Sequence, residues 1–283
     1  PLRFADYVEA DELLPRLQCG ALGKFDLVLH LGACSATTEK DATYLIRNNY
    51  EFTRDLAAWS LEHKSRFVYA SSAATYGDGS AGMVDDESKL DTLRPLNMYG
   101  YSKHLFDLHA KRAGFLNKIC GLKYFNVFGP NEDHKGDMRS LVHKSFAQVQ
   151  SKGVIQLFKS YRKEYKHGEQ KRDFLYIKDC AAMTLHLAAT PKANGLFNIG
   201  SGQARTWVDL SNAVFTALKK KPVIKFIEMP EVIRDKYQYF TQANLLRLRG
   251  AGYTAPVTSL ENAVHDYVRR YLVLDKRLDS SVE

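Results

Sequence analysis

The stretch SRFVYASSAA, residues 65–74, is short and almost continuously apolar or β-branched until its two serines. Two further runs share this character, FDLVLHLGA at 25–33 and KICGLKYFNVFG at 118–129. Runs of this kind are typical of strands buried on both faces, as in parallel sheets that helices cover on each side. The three runs therefore predict neighbouring strands of one parallel sheet.

Longer helical patterns separate these strands. TEKDATYLIRNNYEFTRDLAAWSLEHK occupies 38–64, and NMYGYSKHLFDLHAKRAG occupies 97–114. Strand and helix in regular alternation indicate parallel strands joined by crossover helices. The predicted fold is α/β, with a Rossmann-like, doubly wound parallel sheet.

The alternation breaks down after about residue 130, where polar loops and mixed segments follow. RDFLYIKDCA (172–181) leads into a helix, and GLFNIGSG (195–202) reads as a strand and a turn. Two amphipathic helices close the chain. We expect a smaller mixed α/β substrate-binding lobe, whose segments alternate along the chain with those of the first domain. The predicted division gives 1–128 and 172–200 to the dinucleotide-binding domain, and 129–171 and 201–283 to the lobe.

Composition narrows the class of protein. With 45% hydrophobic and 25% charged residues, the 283-residue chain has the balance of a globular protein. No apolar run reaches the roughly 18 residues of a membrane helix, and no charged and then apolar leader opens the chain. We expect a soluble, cytoplasmic protein that binds no membrane.

Charge and cysteine usage exclude other classes. The formal net charge is +8, which would suit nucleic acid or anionic small substrates, but the basic residues are scattered, which favours non-specific charge over a nucleic-acid site. The four cysteines are spread singly, without C-x-x-C or clustered histidines. We expect reduced cysteines and no metal site.

In open parallel sheets the ligand crevice lies beyond the carboxyl ends of the strands. Small or polar residues follow each predicted strand at that edge of the sheet. They are Gly32, Ala33 and Ser35 after the first, Ser71 and Ser72 at the end of the second, and Asn126 in the third. This edge is the predicted site.

One helix carries a pair with chemical meaning. Residues four apart lie on the same helical face, so Tyr99 faces Lys103, while Tyr101 faces Leu105. An ammonium beside a phenol favours the phenolate and lowers the tyrosine pKa from about 10 toward neutrality. The pair therefore predicts a proton-transfer site, although a tyrosine and a lysine on a wet helical face would give the same spacing.

The glycine pattern of a dinucleotide site is absent where it is expected. The one G-x-G-x-x-G match, at Gly77, Gly79 and Gly82, precedes acidic VDDESKL instead of an apolar helix, which argues against a phosphate-binding turn. The chain also opens where the third strand of such a sheet would end. We expect about 40 residues of a first βαβ unit to precede this numbering.

Five ordered motifs, HLGACSATTEKD, VYASSAATYG, YGYSK, KYFNVFGP and KRDFLYIKD, resemble the extended short-chain dehydrogenase/reductases of the NAD-dependent epimerase/dehydratase family, which act on nucleotide sugars. The resemblance implies a bound nicotinamide dinucleotide, NADP with NAD as the alternative. It also implies a catalytic set of Ser72, Tyr99 and Lys103. From the residues alone, Ser71 remains as good a candidate as Ser72.

A narrower resemblance, carried by YFNVFGPNEDHKG and FTQANLLRLRGAGY, is to the epimerases that invert C6 of an ADP-linked heptose for the lipopolysaccharide core. It implies Lys135 as a second acid/base, because a carbonyl that presents its other face turns its oxygen to another part of the pocket. Glu132, Asp133 and Asp137 would raise the pKa of that lysine unless they point away.

The same resemblance implies the binding residues. For the cofactor they are Gly32, Ala33, Cys34, Ser35, Asn48, Lys103, Val127 and Lys135. For the nucleotide sugar they are Ser72, Asn126, Asp137, Lys144, Phe158, Lys159, Ser160, Arg172 and Tyr237. Arg172 suits a diphosphate because its planar fork binds two oxygens at once, whereas Phe158 and Tyr237 could equally be core residues.

Other functions remain open at this point. A nucleotide-sugar 4-epimerase would use the same scaffold, and a non-catalytic binding module would keep the fold without needing a paired phenol and lysine. The resemblance also implies a homo-oligomer.

Overall fold

The computed structural model describes residues 4–234 and 237–278. Its strands are β1 (Leu27–His30), β2 (Arg66–Ser72), β3 (Cys120–Tyr124), β4 (Asn126–Phe128), β5 (Ile155–Phe158), β6 (Lys171–Tyr176), β7 (Gly195–Ile199), β8 (Ala204–Thr206) and β9 (Ile224–Ile227). Its α-helices are α1 (Ala10–Gln18), α2 (Ala42–Leu45), α3 (Phe52–Glu62), α4 (Met98–Arg112), α5 (Leu141–Lys152), α6 (Ile177–Ala188), α7 (Trp207–Ala217), α8 (Glu231–Arg234), α9 (Leu246–Gly250) and α10 (Leu260–Tyr267).

The central sheet confirms the predicted α/β fold. Its four strands are parallel and lie in the order β1-β2-β3-β7. On one face, Phe67 and Tyr69 pack against α3 and α4, while on the other Val68 and Leu122 pack against α6. Alternate residues of a strand point to opposite faces, so helices on both sides explain the continuous apolar runs.

Two of the predicted strands differ in detail. Leu27 and Leu29 of β1 are more than a third exposed, because no helix covers that side of the strand in the described part of the chain. The run at 118–129 divides into β3 and β4. At the break, Phe125 N–H donates to Ile199 O, and β4 leaves the central sheet to pair with β6.

The remaining strands form two small sheets, one in the order β4-β6-β8 and one pairing β5 with β9. A second apolar core gathers α5, α7 and α10 around them. Strand β6 lies between the cores, since Phe174 and Tyr176 face the second core while Leu175 faces the side of α6. The division into two lobes remains a prediction, and β6 is where their cores meet.

The glycine-rich match lies in a turn and not between a strand and an α-helix. It follows a 3₁₀ turn, Ala73–Tyr76, and precedes another, Glu87–Thr92. Gly77 has φ +64, and a Cβ there would lie 1.9 Å from the Arg94 carbonyl oxygen. Close backbone approach therefore accounts for this glycine.

Within residues 4–234 and 237–278, no helix combines the length and apolar character needed to cross a membrane.

Candidate active site

The loop that follows β1 is held by one buried asparagine. Asn49 accepts a hydrogen bond from Cys34 N–H at 2.9 Å and donates to Cys34 O at 3.0 Å, and its amide also donates to Ser102 Oγ of α4 at 2.9 Å. Gly32 and Ala33 are exposed, and Ala33 takes φ +133. The clamp presents the backbone of Gly32 to Ser35 at the carboxyl end of β1, beside α4.

Asn49 is a residue that the sequence reading missed. The resemblance implies Asn48, whose side chain donates to Tyr44 O at 2.8 Å. Both asparagines lie in a π-helical turn, Ile46–Glu51, between α2 and α3. Single π turns inside α-helices are frequent at functional sites. The sequence feature that could have indicated Asn49 is the pair of adjacent asparagines, because neighbouring residues of a helix do not both point to the same side.

Helix α4 begins at the site. Its N-cap, Asn97, accepts from Gly100 N–H at 2.8 Å, and a Cβ at Gly100 would lie 2.9 Å from Ala74 O. The first turn of α4 is therefore pressed against the turn that follows Ser72. This packing brings Tyr99 to the carboxyl end of β2, beside Ser72.

Lys103 lies one turn further into α4 and is buried. Its ammonium donates to Ala70 O of β2 at 2.9 Å. Burial lowers the pKa of Lys103 to about 8, while Asp107 and Cys34 act in the opposite direction. Burial also lowers the pKa of neighbouring His30 to about 4, with the Lys103 charge adding to the effect. Lys103 is therefore the cation at this end of the sheet near neutral pH.

The predicted fall in the Tyr99 pKa is wrong in this structure. Burial raises the pKa of Tyr99, a hydrogen bond from Ser72 opposes the rise, and Cys34 adds to it. The lysine ammonium is bonded to Ala70 O of β2, so it does not offset the loss of hydration around the phenol. The i, i+4 spacing predicts that Tyr99 and Lys103 lie close together, but it does not predict whether burial or the lysine charge has the larger effect on the Tyr99 pKa.

The two serines at the end of β2 point to opposite faces of the sheet. Ser71 Oγ donates to Asp107 Oδ2 at 2.8 Å and is buried. Ser72 Oγ accepts from Ala74 N–H at 3.1 Å and lies beside Tyr99. Ser72 is therefore the serine that the geometry places with the tyrosine.

Lys135 lies in a separate loop, in the 3₁₀ turn Asp133–Met138, and is exposed, as is His134. Burial raises the pKa of the Cys180 thiol to about 12, and among the opposing influences is the charge of Lys135. Lys135 thus lies within electrostatic range of Cys180 on α6.

Two of the three acidic residues around Lys135, Glu132 and Asp133, are bonded to other residues. Buried Glu132 accepts from Ser140 N–H at 2.7 Å, from Ser140 Oγ at 2.6 Å and from Tyr267 OH at 2.9 Å. Asp133 pairs with His143 at 3.1 Å and with Arg277 at 2.7 Å. Glu132 and Asp133 are therefore engaged with other residues, whereas Asp137 is exposed on the same turn as Lys135.

The carboxyl-terminal segment joins this arrangement. Besides the Arg277 contact with Asp133, Leu278 N–H donates to Asn131 Oδ1 at 2.9 Å. Lys144 donates to Asp137 O at 2.5 Å from α5. The loop that carries Lys135 is thus fastened from several sides, and we call residues 131–138 the base loop.

Arg172 is a buried cation on β6. It is 6% exposed, its Nη1 donates to Lys171 O at 2.9 Å, and its guanidinium stacks on Tyr237 at 5.0 Å and on Trp207 at 5.6 Å. In the part of the chain that the structure describes, no carboxylate lies within 4.0 Å of it. Buried charges in proteins are normally paired, so this site is suited to an anionic ligand.

The other predicted substrate residues lie around that strand. Asn126 Oδ1 accepts from Thr241 Oγ1 at 3.4 Å, and Thr241 Oγ1 accepts from Asp173 N–H, next to Arg172, at 2.9 Å. Tyr237 OH accepts from Trp207 Nε1 at 2.8 Å. Asn126 and Tyr237 thus adjoin Arg172, and their roles remain predictions.

The predicted residues at the end of β5 are engaged with other groups. Lys159 Nζ pairs with Glu228 at 2.5 Å, Ser160 N–H donates to His167 Nδ1 at 3.0 Å, and Phe158 O accepts from Gln170 at 3.5 Å. Val127 of β4 is half-buried. Among the described residues, no three His, Cys, Asp or Glu side chains are grouped as a metal ion would require.

Comparisons with known proteins point in one direction. Residues 15–200 match the model of the NAD dependent epimerase/dehydratase family. A protein of Nitratidesulfovibrio vulgaris strain Hildenborough, named ADP-L-glycero-D-manno-heptose-6-epimerase, is 52% identical over 271 residues, which are 95% of this chain and 84% of the relative. A Fusobacterium nucleatum protein of the same name is 44% identical over 279 residues, with the same two coverages.

Solved structures give the same fold. The crystal structure of Helicobacter pylori ADP-L-glycero-D-manno-heptose-6-epimerase superposes with a TM-score of 0.77 at 27% identity, covering 93% of this chain and 77% of that one. The Thermus thermophilus UDP-glucose 4-epimerase, in complex with NAD, gives a TM-score of 0.73 at 20% identity, covering 93% and 82%. The second likeness concerns the fold alone.

Proposed function

Because the chain belongs to the NAD dependent epimerase/dehydratase family, we propose that it converts ADP-D-glycero-D-manno-heptose to ADP-L-glycero-D-manno-heptose by inverting C6. The observation that carries the chemistry is the convergence of Ser72, Tyr99 and Lys103 at the carboxyl end of β2. The choice of heptose is supported by relatives of that name at 52% and 44% identity. The product would supply heptose to the lipopolysaccharide core.

A nicotinamide dinucleotide fits the residues at this edge. Asn49 holds the loop from Gly32 to Ser35 after β1, and a Cβ at Gly32 would meet no atom within 4 Å. The Lys103 ammonium bonds Ala70 O of the neighbouring strand, β2. When bound, the cofactor takes a hydride from C6 of the sugar and returns it. We propose NADP and not NAD as the cofactor on the basis of the resemblance in sequence. Mass spectrometry of the ligand released from the purified protein would identify which of the two is bound.

Tyr99 would hold the proton that the C6 hydroxyl loses, and Ser72 would hydrogen-bond the reacting oxygen. Lys103 would anchor the cofactor ribose and, as a cation, stabilise the phenolate that forms during turnover. Burial raises the pKa of Tyr99, so the phenol must first lose its own proton to solvent before it can take the proton of the C6 hydroxyl; when the hydride returns, Tyr99 gives that proton back to the oxygen.

Lys135 would serve the opposite orientation. C6 of the heptose is a secondary alcohol, so loss of hydride leaves a ketone, and rotation about the C5–C6 bond presents its other face. The rotation carries the oxygen away from Tyr99. A second proton donor at a different place is then required, and we assign that role to Lys135, which the base loop holds in an exposed position.

Arg172 would bind the diphosphate. Its guanidinium keeps several donors free after the bond to Lys171 O, and the Trp207 and Tyr237 rings fix its plane. We assign residues 1–128 and 172–200 to the cofactor domain and 129–171 and 201–283 to the substrate lobe. We also propose that the protein is a cytoplasmic homo-oligomer. Light scattering coupled to size-exclusion chromatography would measure the mass of the assembly.

The experiment uses ADP-D-glycero-D-manno-heptose carrying deuterium at C6, in ordinary water. Inversion with hydride return predicts the L-epimer with the label kept at C6, read by proton NMR. Loss of the label to solvent would exclude hydride return, and turnover of a UDP-hexose instead would favour a 4-epimerase. If the protein turned over neither sugar, the remaining hypothesis would be a non-catalytic binding module.

A matched pair of lysine variants tests the second base. Lys135→Met should abolish inversion while the cofactor is still reduced in a single turnover in the direction that uses Tyr99. Lys152→Met, at the exposed end of α5, should retain wild-type turnover. If Lys135→Met inverts C6 normally, the second base lies elsewhere, with His134 the first to examine.

A further inference from the structure

A fully buried ion pair lies directly behind the catalytic groups. Lys123 Nζ of β3 and Asp107 Oδ2 of α4 are 2.7 Å apart, and their side chains are 1% and 0% exposed. Asp107 is one helical turn beyond Lys103, so it lies on the same face of α4. The proposed chemistry makes no direct use of either residue.

The pair fixes the surroundings of Ser72. Lys123 donates to Thr75 Oγ1 at 2.6 Å, and Thr75 Oγ1 donates to Ser72 O at 2.8 Å. Asp107 accepts from Ser71 Oγ and from Tyr69 OH, both at 2.8 Å. The carboxylate therefore bonds two residues of β2, and the ammonium bonds the turn that follows it.

Stability alone does not explain such a pair. Two charges lose their hydration on burial, and well-packed apolar residues of similar volume are often as stabilising or more so. What an ion pair adds is a fixed distance and direction between the elements that carry it. Here those elements are β2, β3 and α4, which together hold every group of the catalytic set.

We propose that Asp107 and Lys123 are positioning residues for the reaction, which hold α4 and the end of β2 in the register that brings Ser72, Tyr99 and Lys103 together. The proposal rests on the proposed function. It is carried by the chain of contacts from Asp107 through Lys123 and Thr75 to the backbone of Ser72, which lies beside Tyr99.

Asp107 has a second effect through charge. Burial lowers the pKa of Lys103, and Asp107 is the largest influence that opposes this. The other titratable groups that face Lys103 are Tyr99 on its own helix, Cys34 on the loop after β1, and His30 of β1, which burial keeps neutral near pH 7. Lys123 lies beyond Asp107, on β3. The carboxylate of Asp107 therefore helps Lys103 keep its proton at working pH.

The test compares Asp107→Asn, Lys123→Met and the double variant. Each single variant leaves one buried charge unpaired and should melt at a lower temperature, while the double variant should recover much of that loss. If the role is positioning, kcat of the double variant should still be at least about 10-fold lower than that of the wild type, because the contacts that link α4 to Ser72 are lost. KM should change little.

A direct titration supplies a readout that needs no turnover. With ¹³Cε-labelled lysine, the Lys103 signal is assigned by its loss in Lys103→Met. It should titrate near pH 8 in the wild type and at lower pH in Asp107→Asn, with a smaller shift in the same direction in the double variant, which also loses the Lys123 charge. Asp179→Asn on α6, which loses its bonds to Thr258, is the control and should shift neither this titration nor kcat.

The outcomes separate cleanly. A stable double variant with reduced kcat and a lowered Lys103 titration supports the assignment. Wild-type kcat in that variant, or an unshifted titration, overturns it and leaves the pair a structural feature only. If the wild-type enzyme does not invert the heptose, the proposed function fails, and the titration together with the cofactor Kd of the same variants still decides whether the pair positions Lys103.

Discussion

Replacing Arg172 by methionine should weaken substrate binding strongly without weakening the fold. Methionine keeps an unbranched apolar stem between Trp207 and Tyr237, and only the charge and the donors are lost. Hydrogen bonds to charged groups are worth about 1.5–3 kcal/mol each, and a fork on a diphosphate makes two. The lower bound, about 3 kcal/mol, corresponds to a KM or Kd raised about 10²-fold.

The turnover number should change little, because a clamp remote from C6 binds the ground state and the transition state alike. The melting temperature should stay equal or rise. Burial lowers the pKa of Arg172, which means that folding disfavours its charged form, so removal of that charge takes away no stabilising ion pair.

Steady-state kinetics with ADP-heptose, calorimetric titration with ADP and a thermal melt measure the three quantities. Arg249→Met is the matched control, since Arg249 also stacks on a tyrosine, Tyr253, and donates to main-chain carbonyls. A fall in kcat at unchanged KM, or a lower melting temperature with unchanged ADP affinity, would refute the diphosphate assignment and make Arg172 a structural residue.

Three further outcomes follow from the geometry. Tyr99→Phe should lower kcat by about 10²-fold or more with cofactor still bound, whereas Tyr101→Phe, 46% exposed, should retain most activity in the same NMR assay. The Lys103 pKa is about 8, so its positive charge is lost as pH rises through 8; cofactor Kd should then increase, a dependence that Lys103→Met removes. Gly77→Ala should destabilise the fold by about 2–4 kcal/mol in chemical denaturation, against about 1 kcal/mol for Gly82→Ala, which has φ +79 but no atom within 4 Å of its Cβ.

The sheet and the catalytic helix could be predicted because they depend on local patterns. Continuous apolar runs specify strands covered on both faces, and the four-residue spacing fixes Tyr99 and Lys103 on one side of α4. What local patterns could not supply was the burial around the phenol. The direction of the Tyr99 pKa follows from packing between α4 and the turn after β2, which joins segments distant in sequence.

The same limit explains why the residues alone left one choice open and why one residue was missed. Ser71 and Ser72 are equivalent in sequence, and only a carboxylate 36 positions away from Ser71, on α4, separates their roles. Asn49 was overlooked beside Asn48 because the π-helical turn decides which of the two points inward. Contacts between elements, and not the composition of any one element, assign these side chains.

The base loop is hydrogen-bonded and ion-paired to the last described residues of the chain. Tyr267 of α10 bonds Glu132, and Arg277 and Leu278 bond Asp133 and Asn131, so residues 131–133 and the last described residues should exchange their amide hydrogens as one cooperative unit. Gentle heating that frays this unit would remove Lys135 from its place while the central sheet, and Tyr99 with it, remains closed. With the roles proposed for Tyr99 and Lys135, we predict that this state is half-active: it would oxidise C6 but restore only the epimer it began with.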